Sequence, residues 1–116
     1  SASPAVWAGH TLYISGLTGF DPIEGIPADD LEAQSRRMAR NTIEVLTEAG
    51  LKLEDIVSGN VYLRDINDYT AFNSVYKEFF SKGPGVRTCL MPNSGLEKNN
   101  IRVRTSFIAA RTVDSR

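Results

Sequence analysis

Cysteine and histidine are nearly missing from this sequence: Cys89 and His10 are the single representatives of their types in 116 residues. One cysteine excludes an intrachain disulfide, and one of each leaves too few soft ligands for a standard zinc site, so neither metal nor cofactor is expected. A reducing, cytoplasmic compartment is the simplest fit to a chain without disulfides. An excess of charge is lacking too, since 13 Lys and Arg stand against 14 Asp and Glu, for a formal net charge of −1. No overall positive field exists to hold a phosphate backbone, so nucleic acid is not the expected partner. No apolar run approaches the roughly 20 residues that span a bilayer, and no charged-then-apolar leader is expected, so neither is a membrane partner. What remains is a chain that is 41% hydrophobic, enough for one compact domain over residues 1–116 with little room for a second.

Periodicity organises that domain. "AVWAGHTLYIS" holds two short apolar runs around Ala8, Gly9 and His10, which reads as a hairpin with Thr11–Ser15 as its second strand. "GLTGFDPIEGIPADD" is a loop by its Gly, Pro and Asp content. A helix then starts near Asp29 or Asp30, carries a stripe of Leu31, Ser35, Met38, Thr42, Val45, Leu46 and Ala49, and stops at Gly50. "DIVSGNVYLRD" alternates, with Val57, Gly59, Val61 and Leu63 on one side and Ile56, Ser58, Asn60, Tyr62 and Arg64 on the other. Phe72, Val75, Tyr76, Phe79 and Phe80 recur at helical steps, with Asn67 or Asp68 as cap and Gly83 as terminator. Two strands close the chain, "GVRTCLMP" and Ile101–Ala110, separated by the polar loop "PNSGLEKNN".

The order β-β-α-β-α-β-β predicts an α+β fold: one mixed sheet with both helices on one face. One layer of helices cannot cover both sides of a sheet, and residues on the far side include apolar ones. A homo-oligomer that packs sheet against sheet resolves this and creates clefts between copies.

The arginine in "GVRTCLMP" is the residue that asks for a function. Alternation puts Arg87 on the same strand face as Cys89 and Met91. A partly desolvated guanidinium without an acid is costly, so either an anionic ligand or a carboxylate such as Glu78, Glu97 or one on a neighbouring chain must complement it. From the strand alone both readings stand.

Several stretches, in this order, carry a specific likeness: "YISG", "EAGLKLEDIV", "VYLRDINDY", "FNSVY" and "RTC". Together they resemble the Rid/YjgF family of reactive-intermediate deaminases, formerly labelled L-PSP endoribonucleases, from about Ala5 to Arg111. The resemblance implies a chorismate-mutase-like fold and a homotrimer whose sheets line a central barrel, with three clefts between subunits. It implies hydrolysis of enamine and imine intermediates such as 2-aminoacrylate to a 2-keto acid and ammonia. Residue by residue, it makes Arg87 the group that binds the substrate carboxylate, for which a planar fork of donors is better suited than an ammonium. Cys89 corresponds to a cysteine whose backbone contacts the ligand, and its thiol reads as a small filler rather than a nucleophile. Ser15 and Gly16 match the "SG" at the cleft wall, and Asn73 and Tyr76 match "FN..Y", although Tyr76 also lies on the apolar stripe of its helix. His10 reads as a surface residue.

Departures from the pattern are as informative. Where deaminase-active members carry a glutamate that positions the attacking water, ungapped counting from Cys89 reaches Arg102, and counting back from the "IAAR" end reaches Arg104. The family's N-terminal tyrosine falls at about Ala2, the glutamine after "SG" is Leu17, and "PAR" is Gly85-Val86-Arg87. A guanidinium cannot serve as a base near neutral pH, but it can hold negative charge. Arg87 and Arg102 together in the cleft therefore predict a doubly anionic ligand. The alternative for Arg102 and Arg104 is a solvated pair on an outer strand face. Two other functions compete: a trimeric small-carboxylate binder or repurposed enzyme that has lost hydrolysis, and an RNA-cleaving protein, which the charge balance disfavours.

Overall fold

A computed structural model of the chain describes residues 5–25, 30–81, 85–90 and 100–112. Strands β1 (Ala5–Ala8) and β2 (Thr11–Leu17) form the hairpin, and helix α1 (Leu31–Glu48) follows. Strand β3 (Ile56–Leu63), helix α2 (Tyr69–Phe79), β4 (Val86–Leu90) and β5 (Val103–Ala110) complete the order. The five strands make one mixed sheet in the order β1-β2-β5-β3-β4, antiparallel except for the β3–β4 pair. The parallel pair is what a strand, a crossing helix and a second strand produce, and α2 is that crossing helix.

Local sequence explains where the helices begin. Asp30 accepts a hydrogen bond from the Ala33 N–H at 3.1 Å and caps α1, as its carboxylate beside an apolar stripe predicts. The buried residues of α1 are Leu31, Gln34, Ser35, Met38, Ala39, Thr42 and Leu46, while Val45 and Ala49 pack at the margin of the core. Helix α2 starts directly after Asp68, one of the two caps read from the sequence, and is preceded by a 3₁₀ turn over Ile66–Asp68 capped by Asp65, whose carboxylate accepts from Asn67 N–H. Gly83 and the loop 91–99 lie outside the described residues.

Both helices pack on one face of the sheet, the arrangement read from the order of elements. The core between the layers is built from Leu12, Ile14, Met38, Leu46, Val61, Leu63, Phe72, Val103 and Phe107. An aromatic stack runs through it from Phe72 to Tyr76, Phe80 and Phe107, with centroid separations of 5.7, 4.3 and 5.6 Å. Gly59 permits a close approach, since a Cβ there would stand 2.7 Å from Cδ1 of Phe107.

Two bulges alter the strand phase. Between Ile56 and Ser58 the pairing with β5 shifts by one residue, so Ile56 points into the core and Val57 is 58% exposed. The plain alternation across "DIVSGNVYLRD" placed these two residues the other way round; the extra residue of a bulge reverses phase at that point. In β2, Ser15 and Gly16 together oppose the single residue Ser106, because Ile14 pairs with Phe107 and Leu17 with Thr105. Gly16 has φ +71°, a conformation that side chains with a Cβ rarely adopt, so this bulge calls for glycine.

Among the described residues no layer covers the opposite sheet face. Val6 and Tyr13, paired neighbours on that face, are 64% and 48% exposed.

Candidate functional site

The pairing register arranges the uncovered face in cross-strand rows. Arg87 pairs with Asn60, and Asn60 with Ser106, opposite which stand Ser15 and Gly16. One row beyond, Cys89 pairs with Tyr62 and Tyr62 with Arg104. Val86 and Thr88 pair with Gly59 and Val61 on the core side, so Arg87 and Cys89 share the uncovered face as their alternation predicts. Met91 lies outside the described residues.

Arg87 is exposed, and its Nε donates to Asn60 Oδ1 at 3.1 Å. That bond spends the inner edge of the guanidinium and leaves the two terminal nitrogens, the edge suited to a bidentate carboxylate. None of the ion pairs among the described residues includes Arg87, and Glu78, one of the acids considered for it, binds Arg36 instead at 3.1 Å. Glu97 lies outside the described residues. Asn60 also lines a cavity of about 200 Å³ on this face, together with Tyr13, Ser15, Ser58, Ser106 and Ile108. At ~30 Å³ per liquid water, this is room for a small metabolite of a few heavy atoms. A wider hollow of about 540 Å³, bordered by Arg64, Asp65, Ile66 and Leu90, lies open at the far ends of β3 and β4.

The other sequence-derived site residues divide. Ser15 and Gly16 share the face with Arg87, but three strand spacings separate β2 from β4, roughly 14 Å at ~4.8 Å per spacing. Cys89 is half-buried beside Tyr62, with a free thiol. Tyr76 is 5% exposed and stacked between Phe72 and Phe80 in the core, on the helix side of the sheet. Burial pushes its hydroxyl up to about 12, because an apolar setting disfavours the phenolate. Asn73 is half-buried on the same helix. Within one chain the sheet therefore stands between α2 and Arg87, and of the two readings of Tyr76 the packing on the apolar stripe of its helix is the one the structure shows.

Arg102 also takes a different place. Its Nη2 lies 2.7 Å from Asp68 Oδ1 and its Nε donates to Asp68 Oδ2 at 3.2 Å, a two-pronged ion pair at the start of α2. The buried Gln34 on α1 fixes the neighbouring backbone, accepting from Arg102 N–H at 2.9 Å and donating to the Asn100 carbonyl at 2.7 Å. With a carboxylate already matched to its fork, Arg102 serves the junction between α1, α2 and β5. Within the chain Arg102 is thus engaged by Asp68 and not beside Arg87, and the arginine on the uncovered face of β5 is Arg104.

Asn60, Ser106 and Tyr62 escaped sequence reasoning as site residues. Alternation put Asn60 and Tyr62 on one side of β3, but only strand pairing reveals that β4 and β5 flank them.

A family model described as Endoribonuclease L-PSP matches residues 2–110. The chain belongs to this family, also called Rid/YjgF. Among Rid relatives, a 3-aminoacrylate deaminase RutC from Acinetobacter baylyi is 31% identical over 107 residues, covering 91% of this chain and 83% of that one. A 2-iminobutanoate/2-iminopropanoate deaminase from Capra hircus is 40% identical over 80 residues, covering 67% of this chain and 58% of the other. The crystal structure of RidA from the Antarctic bacterium Psychrobacter superposes with a TM-score of 0.80 at 31% identity, over 96% of this chain and 89% of that one. The α+β sheet with two helices is the fold of the Rid family. Among the described residues no helix is long and apolar enough to cross a membrane.

Proposed function

We propose that this Rid-family chain hydrolyses imines or enamines that carry a carboxylate, releasing a 2-keto acid and ammonia. The observation that carries this reading is Arg87: an exposed guanidinium, steered by Asn60, whose terminal edge meets no acid among the described residues. The names of the deaminase relatives support the reaction class.

The chemistry is a proton-coupled addition and elimination. An enamine takes a proton at carbon and becomes an imine; water adds to the C=N carbon, a proton moves to nitrogen, and the C–N bond breaks to leave C=O and ammonia. Arg87 holds the carboxylate next to the reacting carbon and fixes its orientation, which lowers the entropic part of the barrier. Positioned acids or bases typically add about 10²- to 10⁴-fold. The five strands offer no Asp or Glu for that task. The substrate's own carboxylate or Glu97 orients the water, and the rate leans on the intrinsic lability of the imine. That shortage of a strand carboxylate favours a second reading, a small-carboxylate binder that has lost hydrolysis. RNA cleavage, the activity in the family's description, gains little from a net charge of −1.

A homotrimer fits the same observations. The uncovered face exposes Val6 and Tyr13, and Ser15 is too far from Arg87 for one small ligand to touch both in one chain. A second copy that brings its own Ser15 near Arg87 completes a cleft between subunits.

The test generates 2-aminoacrylate or a related imine in situ with a pyridoxal-phosphate enzyme and follows ammonia and keto acid with and without the protein. Acceleration is expected, and Arg87→Ala should lower kcat/KM about 10- to 100-fold, the loss of a charge-assisted carboxylate contact of ~1.5–3 kcal/mol. Absence of acceleration on several imines, with keto-acid binding retained, selects the binding reading.

A further inference from the structure

Arg87 and Arg104 are the only charged residues in the five strands, and both stand on the uncovered face. Neither takes part in any ion pair among the described residues. The Nε of Arg104 is shielded from solvent and has no hydrogen-bond partner among the described residues. A polar N–H withdrawn from water without a partner costs about 1–3 kcal/mol, so this guanidinium is built to receive an acceptor. Its stem lies directly across from Tyr62, which narrows the directions open to it.

The register sets the separation. Arg104 is two strands from Arg87 and one row along, roughly 12 Å between Cα atoms at ~4.8 Å per strand and ~3.4 Å per residue. Arg87 leans toward β3 through its bond to Asn60, and so toward Arg104. Two forks converging from that distance bracket a small molecule with an acidic group at each end.

We propose that Arg104 is a second anion-binding residue, and that the ligands of this site are small 2-imino or 2-keto acids carrying a second carboxylate. The proposal rests on the reading of Arg87 as the anchor of the first carboxylate. It gives the arginine at this position a task of its own: where a carboxylate there would repel the second acid, a guanidinium binds it.

Calorimetry with stable keto acids of matched length tests this: 2-oxobutanoate against oxaloacetate, and 2-oxopentanoate against 2-oxoglutarate. The intact protein should bind each diacid at least about tenfold more tightly than its monoacid partner, which corresponds to ~1.4 kcal/mol. Arg104→Gln should bring that ratio to within about twofold and leave monoacid affinity unchanged. Equal binding of monoacids and diacids by the intact protein, or an unchanged ratio in Arg104→Gln, overturns the proposal. Arg87→Gln separates the two ideas, because it should weaken monoacids and diacids alike; if it weakens neither, the Arg87 reading is the one that fails. Should Arg104→Gln not fold, the Nε–Hε resonance of Arg104 in the intact protein, assigned with Arg104→Lys, decides. It should move on adding diacid and stay still with monoacid, and a resonance unmoved by diacid refutes the assignment.

Discussion

Cutting the Arg102–Asp68 pair should destabilise the fold and leave ligand binding alone. The side chains are 23% and 12% exposed, and two charge-assisted contacts of 2.7 and 3.2 Å join them. Fully exposed pairs contribute ~0–1 kcal/mol, whereas removing one partner of a buried pair costs ~3–5 kcal/mol. With Asp68 nearly enclosed, Arg102→Met should cost about 2–3 kcal/mol. Asp68 also stands at the N-cap of α2 yet makes no capping bond, because both its oxygens face Arg102. Asp68→Asn should therefore lose the pair and recover part of the deficit by capping α2. Urea titrations of the two single variants and the double variant, at one fixed protein concentration, should yield a coupling energy of about 1–2 kcal/mol. Thermal midpoints should fall by roughly 8–12 °C for Arg102→Met, at ~4 °C per kcal/mol for a domain of this size. A coupling energy below ~0.5 kcal/mol, together with keto-acid binding weakened as much as in Arg87→Gln, would refute the reasoning and return Arg102 to the ligand.

Two further perturbations test the core. Gly59→Ala should cost ~1–3 kcal/mol, because the new methyl meets the Phe107 ring at 2.7 and 2.8 Å and that ring is enclosed; an unchanged urea midpoint would mean that β3 and β5 can part locally. Tyr76 makes stability sensitive to alkali. Its folded value of about 12 lies above the ordinary ~10, so its contribution is complete below pH ~10 and fades as pH rises through 12. Absorbance at 295 nm should show one tyrosine titrating late, and Tyr76→Phe should flatten the alkaline loss of stability; an unaltered slope would assign that loss to another group.

Much of the site was legible because side-chain alternation is local. Arg87 and Cys89 were bound to share a face once β4 was a strand, and Gly16 was open to a purely conformational reading that its φ of +71° supports. Tyr76 could be read two ways because helical spacing and family likeness pointed in different directions, and the stack from Phe72 to Phe80 decided for the core. Arg102 and Arg104 could not be ranked in sequence. They alternate by two on the same strand pattern, but β5 begins only at Val103, so Arg102 is released from the sheet and turns to α2 while Arg104 stays on the face.

By itself the sequence determined the order of strands and helices, the apolar stripes that bury them, and the isolation of Arg87 from any nearby acid along the chain, since period and capping depend on neighbours a few positions away. Only the tertiary structure decided that β4 lies beside β3 and β3 beside β5, and with them the row from Arg87 through Asn60 to Ser106 and the opposition of Tyr62 and Arg104. Strand neighbours are chosen by burial summed over the whole sheet, and a bulge of one residue is enough to reverse a face, so no local pattern carries that information.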